Sequence, residues 1–297
     1  MQTRRDVLRL TAAAVAGAAV SPSTLFASGA VAGSRRLGAQ LYTVRDQIAK
    51  DPAATLRAIA EIGYREIEVL QPTLDTVVPI ARALDLAPVA MHVDPALVLD
   101  AGTPAAEKGL AVVSGQARAA GVRYLVLAWI PPERRPGSSA GYRALGASLN
   151  RAGEQAARAG LTFGYHNHAF EFQTFDENRR ALDLIVESTD PALVKLELDV
   201  FWVAVTGADP VAVIRQHAGR IALMHLKDKK HGVGPALRED QVPRTAFAEV
   251  GAGTLDFRAI LAAADAAGVQ HFIVEQDHTE GDPIASLRRS YTHLKTL

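Results

Sequence analysis

The segment Leu161–Phe172, LTFGYHNHAFEF, begins as an apolar run of strand length. It then turns polar at His166, Asn167 and His168, with Glu171 just beyond. Alternate side chains of a strand share a face, so His166 and His168 point the same way. A core strand has no use for two imidazoles and a carboxylate at its C-terminal end, but in α/β proteins that end is where ligand and catalytic groups gather. Satisfied histidines in an ordinary loop are the plain alternative, and recurrence weighs against it. LVKLELDV ends in Asp199, IALMHLKD carries His225 and HFIVEQD carries Glu275. Consecutive strands thus deliver one potential ligand each at a common depth. Imidazoles and carboxylates without thiolates form a hard-to-borderline donor set, suited to one divalent ion such as Mn²⁺, Co²⁺, Mg²⁺ or Zn²⁺.

The elements that must carry these groups can be read from periodicity. Candidate strands are Leu37–Tyr42, Glu66–Leu70, Ala87–His92, Tyr124–Ala128, Leu161–His166, Val194–Asp199, Ile221–His225 and His271–Glu275. Between them lie helical patterns with apolar residues three and four apart, as in Leu56, Ile59, Ala60 and Ile62. Asp51-Pro52 and Asp209-Pro210 read as helix starts, and Gly63, Gly121, Gly160 and Gly268 as helix stops. Strands that are apolar throughout and alternate with helices imply a parallel sheet covered on both faces. Eight such units favour closure into a single-domain (β/α)8 TIM barrel over residues 37–297. A nucleotide-binding open sheet loses its main support, because no GxGxxG or GxxxxGK[ST] motif opens the first helix. All strand ends then converge on one mouth. Gln40, Tyr42, Glu68, Trp129, Trp202 and Lys227 join it as candidate substrate contacts, and His92 as a further candidate for catalysis. The irregular stretches Ile130–Gly141 and Asp228–Thr254 are expected as loops over that mouth.

The chain has 297 residues, 48% of them apolar, with 32 basic and 32 acidic side chains and no cysteine. Zero net charge argues against a nucleic-acid partner or an anionic membrane reached by electrostatics, and a disulfide frame is excluded. Residues 1–32 do not belong to the barrel. Thr3-Arg4-Arg5-Asp6 precedes an alanine-rich run, Leu10–Val20, and a small-residue region through Ala30. That order is a secretory signal whose paired arginines match the twin-arginine type. The run is too short and too alanine-rich for a membrane span. A periplasmic protein is expected.

The chain from Leu37 onward resembles the sugar phosphate isomerase/epimerase family with the xylose isomerase-like TIM barrel. The resemblance rests on LGAQLYTVRD, GYREIEV, GYHNHAFEF, LELDVFW, HLKD, VGAGTLDF and VEQD in this order. It implies one divalent metal held by Glu, Asp, His and Glu from strands five to eight, and Asp199, His225 and Glu275 match the last three. Many relatives read Glu-Asn-His at the fifth strand, where this chain reads His166-Asn167-His168. Either His166 or a folded-back Glu171 then completes the set. The pattern is most similar to inosose dehydratases and to lyases acting on 3-keto-glycosides.

These readings together expect a metal-dependent isomerase or lyase that removes a proton next to the carbonyl of a non-phosphorylated keto sugar, keto-glycoside or keto-polyol. Glu275, His166, His168, His92 and Glu171 are the candidate acids and bases, and dehydration or elimination is favoured over epimerisation. A small carbohydrate is the expected partner, with a homo-oligomer left open. A metal-dependent endonuclease or a non-catalytic sugar-binding barrel are the readings from other classes.

Overall fold

A computed structural model describes residues 35–297; the expected signal segment and its paired arginines lie outside the described residues. The strands are β1 Leu37–Gln40, β2 Glu66–Leu70, β3 Ala87–His92, β4 Tyr124–Leu127, β5 Thr162–His166, β6 Val194–Asp199, β7 Ile221–Leu226, β8 Asp228–Lys229, β9 Phe247–Ala248 and β10 His271–Val274. Eight of them close a parallel barrel in the order β1-β10-β7-β6-β5-β4-β3-β2, and β8 pairs with β9 antiparallel. The expected barrel is present, with strand bounds within two residues of the sequence reading. The largest difference is at β1, which stops at Gln40 because Leu41–Val44 winds into a 3-10 turn.

Local chemistry accounts for the helices. Asp51 accepts a hydrogen bond from the Ala54 amide and Asp209 from that of Val211, each ahead of proline at the first helical position. Gly121 and Gly268 take positive φ where their helices end. The apolar faces of these helices and the outward residues of the strands form one continuous core, which includes Leu56, Ile59, Leu149 and Ile185. No helix among the described residues is long and apolar enough to cross a membrane.

Register decides what meets at the mouth. The β6–β7 pairing slips by one residue between Leu196 and Glu197, so that Asp199 pairs with His225. Without the slip Asp199 would face Met224, and His225 would fall out of step with it. The loop after β7 is not featureless, contrary to its sequence. It folds as β8, two 3-10 turns and β9, and it buries Ala236, Ala246 and Phe247 against Phe201, Trp202 and Val205.

One carboxylate ties that loop down. Asp228 accepts from the backbone amides of Gly251, Gly253, Thr254, Leu255 and Lys229 at 2.7–3.1 Å. A side chain at Gly253 would run into Asp228 and the Lys229 carbonyl. The sequence HLKD and the later VGAGTLDF are therefore the two halves of one buckle.

Candidate active site

Asp199 does two things at once. Its Oδ1 accepts from the amides of Phe201 and Trp202, capping the short helix Val200–Val205. That fixes the rotamer and leaves Oδ2 buried, without a directed hydrogen bond, 3.0 Å from Lys227 Nζ. Around Oδ2 stand His166 Nε2 at 3.7 Å and His225 Nδ1 at 3.9 Å. Glu275 Oε2 lies 2.9 Å from the same His225 nitrogen. Asp199, His225 and Glu275 each offer one donor atom within 4.8 Å of the others.

The far nitrogens of both histidines are held by carboxylates. His166 Nδ1 lies 3.0 Å from Glu197 Oε2, and His225 Nε2 lies 2.6 Å from Glu68 Oε2. A histidine that binds a metal through one nitrogen characteristically gives its other N–H to a carboxylate, which sets tautomer and ring orientation. Both rings have that arrangement, with the inner nitrogens turned toward Asp199. The residues present fit a divalent ion: two carboxylates and two oriented imidazoles, with one buried acceptor oxygen uncommitted. A second grouping, His92, His166, Glu197 and His225, shares His225 with that of Asp199, His225 and Glu275.

Glu197 was not anticipated from the sequence. It stands in LVKLELDV two residues before Asp199, on the same face and one layer deeper, and no side chain is less exposed. The signal was a charged residue on the inner face of an otherwise apolar strand. Gln40 and Glu68, expected to touch substrate, also lie in this lower layer. They are fully buried and joined by a 2.8 Å hydrogen bond, because β1 and β2 set them side by side. His92 bridges the layers, with Nε2 3.1 Å from Glu68 Oε1 and 3.3 Å from Glu197 Oε2. Burial would lower its pKa, but the two carboxylates outweigh that and hold it up at about 10.

Above the ligand set opens a cavity of about 500 Å³ whose walls include Tyr42, Trp129, His168, Trp202, Lys227 and Phe247. Four of the six residues expected to contact substrate are therefore in the cavity wall. His168 lies between the indoles, 5.1 Å from each ring, and its Nδ1 is buried with no partner. Burial, with His166 and Lys227 close by, pushes its pKa well below the ordinary histidine value. Burial thus favours its neutral imidazole form.

Lys227 contacts three carboxylates: Asp277 Oδ1 at 2.6 Å, Glu275 Oε2 at 2.8 Å and Asp199 Oδ2 at 3.0 Å. Burial alone would favour its neutral form, but Asp199, Asp277 and Glu275 hold its pKa well above the usual lysine value. Asp277 also went unanticipated. It lies two residues beyond Glu275, past the end of β10, where the apolar pattern has already stopped.

Glu171 is not brought into the ligand set. Its Oε1 accepts from the Tyr165 hydroxyl at 2.7 Å and its Oε2 from the His168 amide at 2.9 Å, so both oxygens are committed behind the histidine strand. Burial raises it to about 8 in spite of those hydrogen bonds. Of the two candidates for the first ligand, His166 alone faces Asp199.

Comparison with known proteins places these features. The profile of the Xylose isomerase-like TIM barrel family matches residues 56–297. An inosose dehydratase of Geobacillus thermodenitrificans is 34% identical over 145 residues, 46% of this chain and 47% of that protein. The chain thus matches about half the length of that curated relative. Among solved structures, a sugar phosphate isomerase/epimerase from Parabacteroides distasonis superposes with a TM-score of 0.72 at 23% identity, covering 93% of this chain and 98% of the other. A 3-keto-D-glucoside 4-epimerase from E. coli gives 0.64 at 17% identity, over 89% of this chain and 100% of the other.

Proposed function

Because the chain belongs to the xylose isomerase-like TIM barrel family, we propose that it is a divalent-metal-dependent enzyme that removes the proton next to a carbonyl of a keto sugar, keto-glycoside or keto-polyol and then expels a β-substituent. His166, Asp199, His225 and Glu275 would hold the ion. Once bound, it supplies Lewis-acid stabilisation of the negative charge that grows on the carbonyl oxygen as the C–H bond breaks.

The observation that carries this reading is His168, set between two indoles in the cavity wall, its Nδ1 without a hydrogen-bond partner and its neutral form favoured by burial. A general base must be unprotonated and have a lone pair free for the proton it takes. His166 and His225 each have one nitrogen on a carboxylate and the other turned to the ligand set, and His92 is held charged by Glu68 and Glu197. His168 is thus the imidazole left to act. Lys227, held as an ammonium by its three carboxylates, supplies the positive charge beside a departing hydroxyl or alkoxide. Trp129 and Trp202 present flat apolar faces for a sugar ring. The named activity of the inosose dehydratase relative supports a dehydration. The arginine pair Arg4-Arg5 ahead of an alanine-rich run supports export of the folded enzyme, and an exported enzyme meets unphosphorylated sugars.

The reading is tested by incubating the metal-loaded enzyme with non-phosphorylated 3-keto-glycosides and keto-polyols and following the products by NMR. An unsaturated ketone, or release of the β-linked alcohol, is the expected outcome. Inversion at one carbon with no eliminated product would make the protein an epimerase instead.

A further inference from the structure

Lys227 stands on the oxygens that a bound ion would use. Its Nζ lies 3.0 Å from Asp199 Oδ2 and 2.8 Å from Glu275 Oε2, and its side chain is only 1% exposed. Asp199 has no second oxygen to offer, because Oδ1 is spent on the amides of Phe201 and Trp202. A divalent ion held there is set beside an ammonium, and two positive charges repel strongly in a buried site. Either the lysine is held aside or the ion is bound weakly.

The hydrogen bonding shows where the lysine is directed. Among the described residues, Nζ places its hydrogen bond on Asp277 Oδ1, at 2.6 Å, while Asp199 Oδ2 receives none. Asp277 lies outside the grouping of Asp199, His225 and Glu275. Of the three carboxylates around the lysine, it is therefore the one whose hold survives when the other two turn to an ion. Without it the buried ammonium would be left uncompensated, which is costly, and its remaining partners would be the two carboxylates of the ligand set. The anchor is itself fastened. Arg45 Nη1 donates to the Asp277 carbonyl at 3.2 Å and to the Tyr42 carbonyl at 2.7 Å, and the Gln276 amide donates to Thr43 Oγ1 at 2.9 Å. The chain that carries Asp277 is thus pinned to the turn Leu41–Val44.

We propose that Asp277 is a positioning residue that keeps the Lys227 ammonium in the cavity wall and off Asp199 Oδ2 and Glu275 Oε2, so that the ion and the ammonium occupy the site together. The proposal rests on the metal reading above and deepens it. It gives Asp277 a part in ion binding that is exerted through Lys227 and involves no bond to the ion.

The test is a titration with Co²⁺, followed by visible absorption, of the unaltered protein, Asp277→Asn, Lys227→Met and the double variant. With Lys227 in place, Asp277→Asn should raise the Kd by at least about tenfold; in the Lys227→Met background the rise should be no more than about threefold, the effect of the lost charge alone. Lys227→Met by itself should bind Co²⁺ at least as tightly as the unaltered protein. An equal rise in the two backgrounds would make Asp277 a ligand or a plain countercharge, and would overturn the proposal. Weaker binding by Lys227→Met would overturn it too, since the lysine would then build the ligand set and not compete for it. Should Asp277→Asn fail to fold, as its melting curve would show, the comparison of Lys227→Met with the unaltered protein still decides. Binding by Lys227→Met alone, with none by the unaltered protein, would keep the ligand set and remove the anchor. Binding by neither would remove the ligand set, and the metal reading would fail with the proposal.

Discussion

At the scale of single residues, much of the site is organised by side chains that would touch neither metal nor substrate. Glu197 Oε2 stands within 3.3 Å of nitrogens on His166, His225 and His92. Replacing Glu197 with glutamine should weaken binding of a divalent ion by about 10–100-fold, the usual effect of losing an orienting partner. Asp199→Ala and His225→Ala should weaken it more. Metal analysis after equilibration at a buffered free-ion concentration checks all three, and full occupancy in the alanine variants would remove those residues from the ligand set. A second prediction concerns Glu171, raised by burial to about 8 from an ordinary 4.5. A carboxyl with a higher pKa folded than unfolded binds its proton more tightly in the native state. Its contribution to stability is therefore present at low pH and is lost as pH rises through that window. Glu171→Gln resembles the protonated form: its amide oxygen can accept from the His168 N–H while its NH₂ donates to Tyr165. Denaturant titrations from pH 5 to 9 should show a smaller decline for the variant, and parallel curves would contradict the assignment.

At the scale of elements, the strand ends were legible and the connections between them were not. His166, Asp199, His225 and Glu275 stood out because each breaks an apolar run at a strand's C-terminal end. Glu197 and Glu68 escaped as the carboxylates that hold the ligand histidines, because alternation assigns them to the inner face but does not say which depth the ligands occupy. The one-residue slip in β6–β7 that pairs Asp199 with His225 leaves no mark in the sequence. Nor do β8 and β9, two residues each, whose pairing depends on Asp228 reaching amides more than twenty positions away. Asp228→Asn offers one acceptor oxygen where two served, and it turns an NH₂ group toward backbone donors. A loss of about 2 kcal/mol or more in unfolding free energy is expected, together with faster amide exchange over Gly251–Leu255. Gly253→Ala should give the same pattern by pushing the carboxylate out of its nest.

At the scale of the whole molecule, eight strand ends bring Glu68, Glu197, Asp199 and Glu275 into one buried region, where His92 pairs with the first two and Lys227 with the last two. The barrel class was legible because four joints, at Gly63, Gly121, Gly160 and Gly268, repeat a helix end, a glycine and an apolar strand, and repetition survives errors at any one boundary. The chemistry follows from what that closure collects: oriented ligands below, a neutral imidazole beside them, and aromatic walls above. The claim that the molecule removes a proton through His168 with the aid of a divalent ion is tested most directly by exchange of the hydrogen next to the substrate carbonyl in D₂O, before any product forms. The metal-loaded enzyme should exchange it. The stripped enzyme should not until the ion is restored, and metal-loaded His168→Gln should be slower by about 10²–10⁴-fold. Undiminished exchange in the His168→Gln protein, or in the stripped enzyme, would contradict the account.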